Sequence, residues 1–227
     1  MRHLIINGDD FGLCSGVNRA IFELHELGVL TSASLMVGGG AVKEAVETIK
    51  SKYPDMSLGL HLRFGEPPFR IDKLVKQMED QWKEFHELVG RSPTHVDIHR
   101  YPGIAIQISR FLPERVPLRN IGSIHYIDKF NGNGGEDAVT PANLIKILKR
   151  IKKGVYELSC QPGYGPIELD GDSEECGNRR EKQLRTLIDE RVRLIMDMRD
   201  ISLISYNDVL TNDIFRVHTL DRYYVGI

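Results

Sequence analysis

No run of 18 apolar residues occurs in the 227-residue chain, and its opening, MRHLIINGDD, holds too short an apolar stretch for a secretory leader. Neither membrane spanning nor secretion is expected. Cysteine is scarce: Cys14, Cys160 and Cys176 are odd in number and lack CxxC spacing. That speaks against a disulfide framework and a thiolate zinc site, and it fits a reducing cytoplasm. Net charge is almost absent, with 30 basic side chains against 32 acidic ones, so no global field favours nucleic acid or an anionic membrane. Neither a fixed-period repeat nor a linker between two halves is visible, which sets aside solenoids and leaves one domain over residues 1–227 as the expectation.

What is present is an alternation of short apolar runs with longer amphipathic ones, the pattern of βα units around a mostly parallel sheet. About seven strands are expected, at Leu4–Asn7, Ser32–Val37, Ser57–Leu62, His95–Ile98, Leu118–Ser123, Tyr156–Cys160 and Ser202–Ser205. Helices are expected at Gly16–Leu27, Ala41–Lys52, Asp72–Val89, Ile104–Leu112, Pro141–Lys152 and Arg180–Asp197. Gly28 and Gly90 punctuate two helix ends and Pro141 opens a third. The stretches Asn131–Asp137 and Gly163–Gly177 read as loops.

Parallel βα units bring the carboxyl ends of all strands to one face, where ligands usually bind. Asp9 and Asp10 follow the first expected strand, His61 ends the third, Asp97 and His99 end the fourth and Gln161 ends the sixth. Adjacent carboxylates raise one another's pKa unless a positive group lies close, and a divalent metal would serve; alternatively, one of them caps the helix near Ser15. His61, between leucines, reads either as a hydrogen-bonded core histidine or as a ligand. The two-residue period sets His95, Asp97 and His99 on one strand face, which is either solvent-exposed or a ligand face where a carboxylate fixes a histidine tautomer. A mixed Asp and His set suits a borderline ion such as zinc, and two His plus one Asp leave positions open for water and substrate. Arg119 reads as a contact to sugar or carboxylate, or as a surface ion pair. Cys160 reads as a small buried hydrophobe, and Trp82 as core packing.

The runs DDFGL from Asp9, GVN from Gly16, GVLTSASLM from Gly28, GLHL from Gly59, THVDIH from Thr94 and ELSCQPGY from Glu157, then Arg180-Glu181, resemble the YdjC-like carbohydrate deacetylases, which include the chito-oligosaccharide deacetylases. The resemblance runs in order along nearly the whole chain. It implies an α/β fold, a distorted TIM-like (β/α) barrel related to the NodB-type deacetylases. It further implies one divalent metal, Mg or Zn, on Asp10, His61 and His99, with Asp9 as general base. The implied substrate is an acetylated amino sugar or short oligosaccharide, whose N-acetyl group is hydrolysed; a homodimer is compatible with this.

The chain departs from the family in three places. Gln161 stands where the family has a histidine before Pro-Gly, and an amide cannot deliver the proton that the leaving nitrogen needs, a contribution of roughly 10²–10⁴ in rate. His99-Arg100-Tyr101 replaces a run with further histidines, and the segment between His61 and His95 is shorter. Either His125 or His95 supplies the acid instead, or metal-bound water does, or the chain keeps the metal site without efficient turnover.

Overall fold

The computed structural model describes residues 1–113, 116–127, 130, 138–165 and 174–211. Its strands are β1 (Arg2–Phe11), β2 (Ser32–Leu35), β3 (Ser57–Leu62), β4 (Val96–Ile98), β5 (His125–Ile127), β6 (Gly154–Cys160) and β7 (Ile201–Leu203). All of these pair in parallel, in the order β4-β3-β2-β1-β6-β5, with β7 also on β1. The helices are α1 (Ser15–Glu26), α2 (Val42–Lys52), α3 (Ile71–Val89), α4 (Ile104–Ile108), α5 (Pro141–Arg150), α6 (Glu174–Leu187), α7 (Glu190–Met198) and α8 (Tyr206–Thr211).

β1 lies at the centre, flanked by β6 along Arg2–Gly8; its other edge is shared by β7 near Arg2–Leu4 and β2 near Asn7–Phe11. Two strands on one edge must diverge, and the sheet curls into a half-barrel. Leu4, Ile5 and Ile6 are buried, as expected of a parallel strand covered on both faces. The helices cover the outer face with apolar stripes, such as Val17, Ala20, Ile21 and Leu24 of α1. α3 stops where Gly90 adopts φ 83°, a left-handed cap that glycine takes without penalty. α5 starts at Thr140, whose side chain accepts from the Asn143 amide, with Pro141 in the first turn.

The interior of the half-barrel departs from the usual branched aliphatic filling. Asn7, Asp9, Ser34, Asp97, Glu157 and Ser159 are all buried, and Asn7 and Asp9, like Glu157 and Ser159, are two residues apart on their strands. At the amino ends of the strands a small apolar cluster of Ile5, Val155, Tyr206 and Val209 plugs the half-barrel.

Several elements differ from the sequence reading. The fifth strand is His125–Ile127 rather than Leu118–Ser123: Leu118 makes only isolated bridges, and Asn120 and Gly122, at φ 67° and 105°, turn the chain. The last expected helix is two, α6 and α7, because Asp189 breaks off and caps the second through the Arg191 amide. After α4 the chain continues as a 3-10 turn, Ser109–Phe111. α8, unforeseen, is six residues long, too short to show a periodicity. The Asn131–Asp137 loop lies outside the described residues, as do residues 166–173 of the second loop, and α6 already begins at Glu174.

His95 is fully buried and lies against Gly59, where an added Cβ would meet its ring atoms at 2.4–2.6 Å. Gly59→Ala is therefore expected to destabilise the fold by about 1–3 kcal/mol, as overpacking does. Gly103→Ala, with open space around it, should change the denaturant midpoint little; equal midpoints for the two variants would contradict the close approach.

Candidate functional site

The pairing of β1 with β2 slips between Gly8, opposite Ala33, and Phe11, opposite Leu35, so β1 carries one extra residue there. Asp10 takes up that residue at φ 61°, a left-handed conformation that aspartate tolerates better than most side chains. The run is thus bulged rather than evenly extended, and the two carboxylates face different partners. Asp10 Oδ1 lies 3.1 Å from His61 Nε2 on β3 and 3.0 Å from His99 Nδ1 just after β4, and the two nitrogens are 3.2 Å apart. Asp10 Oδ2 accepts from Arg180 Nη2 of α6 at 2.7 Å. Neither aspartate caps α1, whose first turn follows Cys14 without a side-chain cap.

His61 is held from behind by Asp97, whose Oδ1 lies 2.7 Å from its Nδ1. With its Nδ1–H donated to that carboxylate, Nε2 is the nitrogen that faces Asp10 and His99, and its lone pair becomes available to a ligand once its own proton leaves. Burial alone would lower the His61 pKa, but the Asp97 charge and the bonds to Asp10 and Asp97 outweigh it and raise it to about 10. Burial likewise opposes ionisation of Asp10, yet the bonds from His61 and His99 and the charge of Arg180 hold it well below the usual carboxylate range. Asp97 is also held low, Arg119 and His61 overcoming the effect of burial.

Asp9 belongs to a second cluster. Arg119 Nη1 and Nη2 donate to its two oxygens at 2.8 and 2.7 Å, and Asn7 Nδ2 donates to Oδ1 at 2.8 Å. The same guanidinium meets Asp97 Oδ2 at 2.8 Å and, through Nε, Glu157 Oε1 at 2.8 Å. Ser34 adds a bond to Asp97 at 2.9 Å. Arg119 is thus a buried junction and not a surface ion pair. Burial raises Asp9 and Glu157 despite Arg119 beside them.

Among the described residues, the buried carboxylates Asp9, Asp10, Asp97 and Glu157 are matched by only two buried guanidiniums, Arg119 and Arg180. Two positive charges are wanting, and the raised pKa values of His61, Asp9 and Glu157 are the protonic answer to that shortage. A divalent cation is the other. Ligand atoms about 2.1 Å from one ion and at right angles to each other lie about 3.0 Å apart, close to the 3.0–3.2 Å edges of the Asp10, His61 and His99 triangle. The residues therefore fit a metal. A second grouping, Asp9, His61 and Asp97, also lies close together, but Arg119 already occupies both of its carboxylates.

Beside His99 opens a cleft of about 520 Å³, lined in part by Met36, Val37, Phe64, Gln81 and Arg100. Gln81 accepts from the Arg63 amide and donates to the Arg63 carbonyl, both at 2.9 Å, which fixes the loop after β3 against α3. Gln161 is half-buried directly after β6, next to the Cys160 that pairs with Gly8, and its main-chain N–H donates to Gln183 Oε1 at 2.7 Å.

Two histidines stand away from this centre. His95 packs its ring flat on Tyr206 at 3.9 Å and bonds through Nδ1 with the Thr94 hydroxyl; burial lowers its pKa to about 3, so it cannot serve as an acid near neutrality. His125 is exposed and pairs with Tyr156, which lies opposite Leu4, so it sits at the amino end of the sheet, away from the carboxyl-end cluster. The sequence reading did not single out Asn7, Glu157, Arg180 and Tyr206 as site groups. For two of them the signal was there: Asn7-x-Asp9 and Glu157-x-Ser159 place polar residues on one face of otherwise apolar strands.

A family model described as YdjC-like protein matches residues 3–198. A carbohydrate deacetylase of Geobacillus stearothermophilus is 28% identical over 241 residues, spanning 91% of this chain and 98% of the relative. An Enterococcus faecalis protein named for cellobiose-phosphate cleavage superposes with a TM-score of 0.73 at 21% identity, over 92% of this chain and 98% of that one. A mutant CE4 family pseudoenzyme with restored enzymatic activity superposes with a TM-score of 0.57 at 11% identity, over 92% of this chain and 68% of that one. The two structures share the fold with this chain.

The His95 environment has a consequence for stability. Its folded pKa, about 3, lies below the unfolded value of about 6.5. Between these the unfolded chain binds a proton that the folded chain refuses, so stability is full above pH 6.5 and is lost as pH falls toward 3. His95→Phe, which keeps a ring against Tyr206, should lose less stability than the natural chain between pH 6.5 and 4.5, by roughly 2 kcal/mol. Parallel losses in urea titrations at the two pH values would show that His95 titrates normally.

Proposed function

The chain belongs to the YdjC-like family, and from that membership we propose that it is a carbohydrate deacetylase: a metal-dependent hydrolase that removes N-acetyl groups from acetylated amino sugars or short oligosaccharides, with residues 1–227 as one such domain. The observation that carries the reading is the triangle of Asp10 Oδ1, His61 Nε2 and His99 Nδ1, set beside a cleft large enough for sugar rings and inside a cluster short of two positive charges. The name of the Geobacillus stearothermophilus relative, which the chain matches over nearly its full length, points the same way.

In this reading Asp10, His61 and His99 hold one Mg or Zn ion, which when bound polarises the amide carbonyl and makes water a better acid. Asp97 keeps the His61 proton on Nδ1 and so leaves Nε2 free to bind. Asp9 accepts a proton from the attacking water on one of its oxygens, and Arg119 keeps both oxygens oriented while it does so. Its burial-raised pKa makes Asp9 a stronger base than an exposed carboxylate. Phe64 and the polar groups around Gln81 form the wall against which a sugar ring packs.

A second reading is favoured by Gln161: the chain binds metal and carbohydrate with weak or no turnover. Gln161 holds no transferable proton near neutral pH. Neither His95, neutral and buried behind Tyr206, nor His125, at the far end of the sheet, replaces it.

Amine release from N-acetylglucosamine oligomers, with and without added Zn²⁺ or Mg²⁺, distinguishes the two readings. The deacetylase reading expects release that chelation abolishes and added metal restores; bound metal with no release at high protein concentration favours the binding protein. Asp10→Ala, His61→Ala and His99→Ala should each lose the metal, and Asp97→Asn should weaken its binding by about 10–100-fold. Metal content that survives all three ligand changes would remove the proposed site. Gln161→His should raise the rate by up to roughly 10²–10⁴ if the missing acid limits it; an unchanged rate discards that explanation.

A further inference from the structure

We propose that Glu157 and Tyr206 are positioning residues for Asp9, so that α8, the short helix at the amino end of the half-barrel, sets the orientation of the proposed base at the other end. The inference rests on reading Asp9 as that base. The connection is a continuous buried chain of hydrogen bonds. The Tyr206 hydroxyl donates to Glu157 Oε2 at 2.7 Å, Glu157 Oε1 accepts from Arg119 Nε at 2.8 Å, and Arg119 Nη1 and Nη2 grip Asp9 at 2.8 and 2.7 Å. Tyr206, Glu157, Asp9 and Arg119 are 1%, 1%, 5% and 8% exposed, so water does not compete at any link.

Charge balance does not account for Glu157. Arg119 is already neutralised by Asp9 and Asp97, both in contact with it, and a third carboxylate adds negative charge to a region that has too much. A buried carboxylate is costly to keep unless its bonds do something an apolar residue cannot. What Glu157 supplies is direction. The guanidinium is a rigid planar fork; with its Nε edge tied to Glu157, its Nη edge is turned squarely toward Asp9. Glu157 is in turn fixed by Tyr206, whose ring lies flat on His95 at 3.9 Å and whose backbone N–H donates to Ser32 Oγ at 3.2 Å. Tyr206 and Val209 of α8 also complete the small apolar cluster with Ile5 and Val155. The plug of the half-barrel thereby reaches the reaction centre through two side chains, neither of which touches the triangle of Asp10, His61 and His99.

The test uses the full-length, metal-loaded chain with N-acetylglucosamine oligomers. Tyr206→Phe keeps the ring and removes one oxygen; Glu157→Gln keeps the shape and removes the charge. Each should lower kcat by about 10–100-fold, the scale of a misplaced catalytic group, with KM within about twofold and metal content unchanged. In an Asp9→Asn background neither should lower the residual rate further, because both act through Asp9. Unchanged kcat in both variants overturns the proposal, and so does an equal loss in the Asp9→Asn background, which would mark mere support of the fold. If Asp9→Asn by itself spares the rate, it is the assignment of the base that fails. The NMR signal of the Arg119 Nε–H gives a readout independent of turnover: it should exchange slowly in the natural chain and faster in Glu157→Gln or in Tyr206→Phe, whichever folds. Unaltered exchange overturns the proposal even for a chain that releases no amine.

Discussion

One guanidinium buried among three carboxylates organises the inside of this protein. Arg119 binds Asp9, Asp97 and Glu157 at 2.6–2.8 Å where solvent hardly reaches. Taking such charges out of water is expensive, and their attraction compensates only when the geometry is good and the remaining lone pairs are bonded. Asn7, Ser34 and Tyr206 provide those extra bonds. Through Asp97, which Ser34 also holds, the junction borders the carboxylate that bonds His61, so the proposed base and the support of one proposed metal ligand lie side by side. The shortage of positive charge around it makes the site receptive to a cation rather than merely tolerant of one.

The fold explains how so polar a group of residues stays buried. Parallel strands carry their own backbone hydrogen bonds, and the apolar stripes of the helices cover the outer face, leaving the inner face of a curled sheet free for side chains that need not be hydrophobic. β1 is the strand that matters most, since Asn7, Asp9 and Asp10 follow one another along it between β2 and β6.

Much of this was legible in the sequence. The βα alternation gave the parallel sheet because period-two and period-3.6 patterns are local, and Asp9, Asp10, His61 and His99 stood out because charged residues at the ends of apolar runs are rare. For Arg119 the sequence leaves a carboxylate contact and a surface ion pair both open, because the residue lies in a turn that resembles a strand and its partners Asp97 and Glu157 are 22 and 38 residues away. That Asp97 serves His61 across β3 and β4 depends on register, which is not local. The break between α6 and α7 was hidden because Leu184, Leu187 and Val192 keep an apolar stripe through it. Tyr206 looked like any aromatic residue near a strand end; only the curl of the sheet brings it under Glu157.

The bulge at Asp10 sets stability against function at a single position. Glycine would take the left-handed backbone there with less strain than aspartate does, and a one-residue deletion would restore an unbroken ladder with β2. Either change would favour the backbone and remove the carboxylate that faces His61 and His99. Backbone stability alone therefore does not account for an aspartate at this bend.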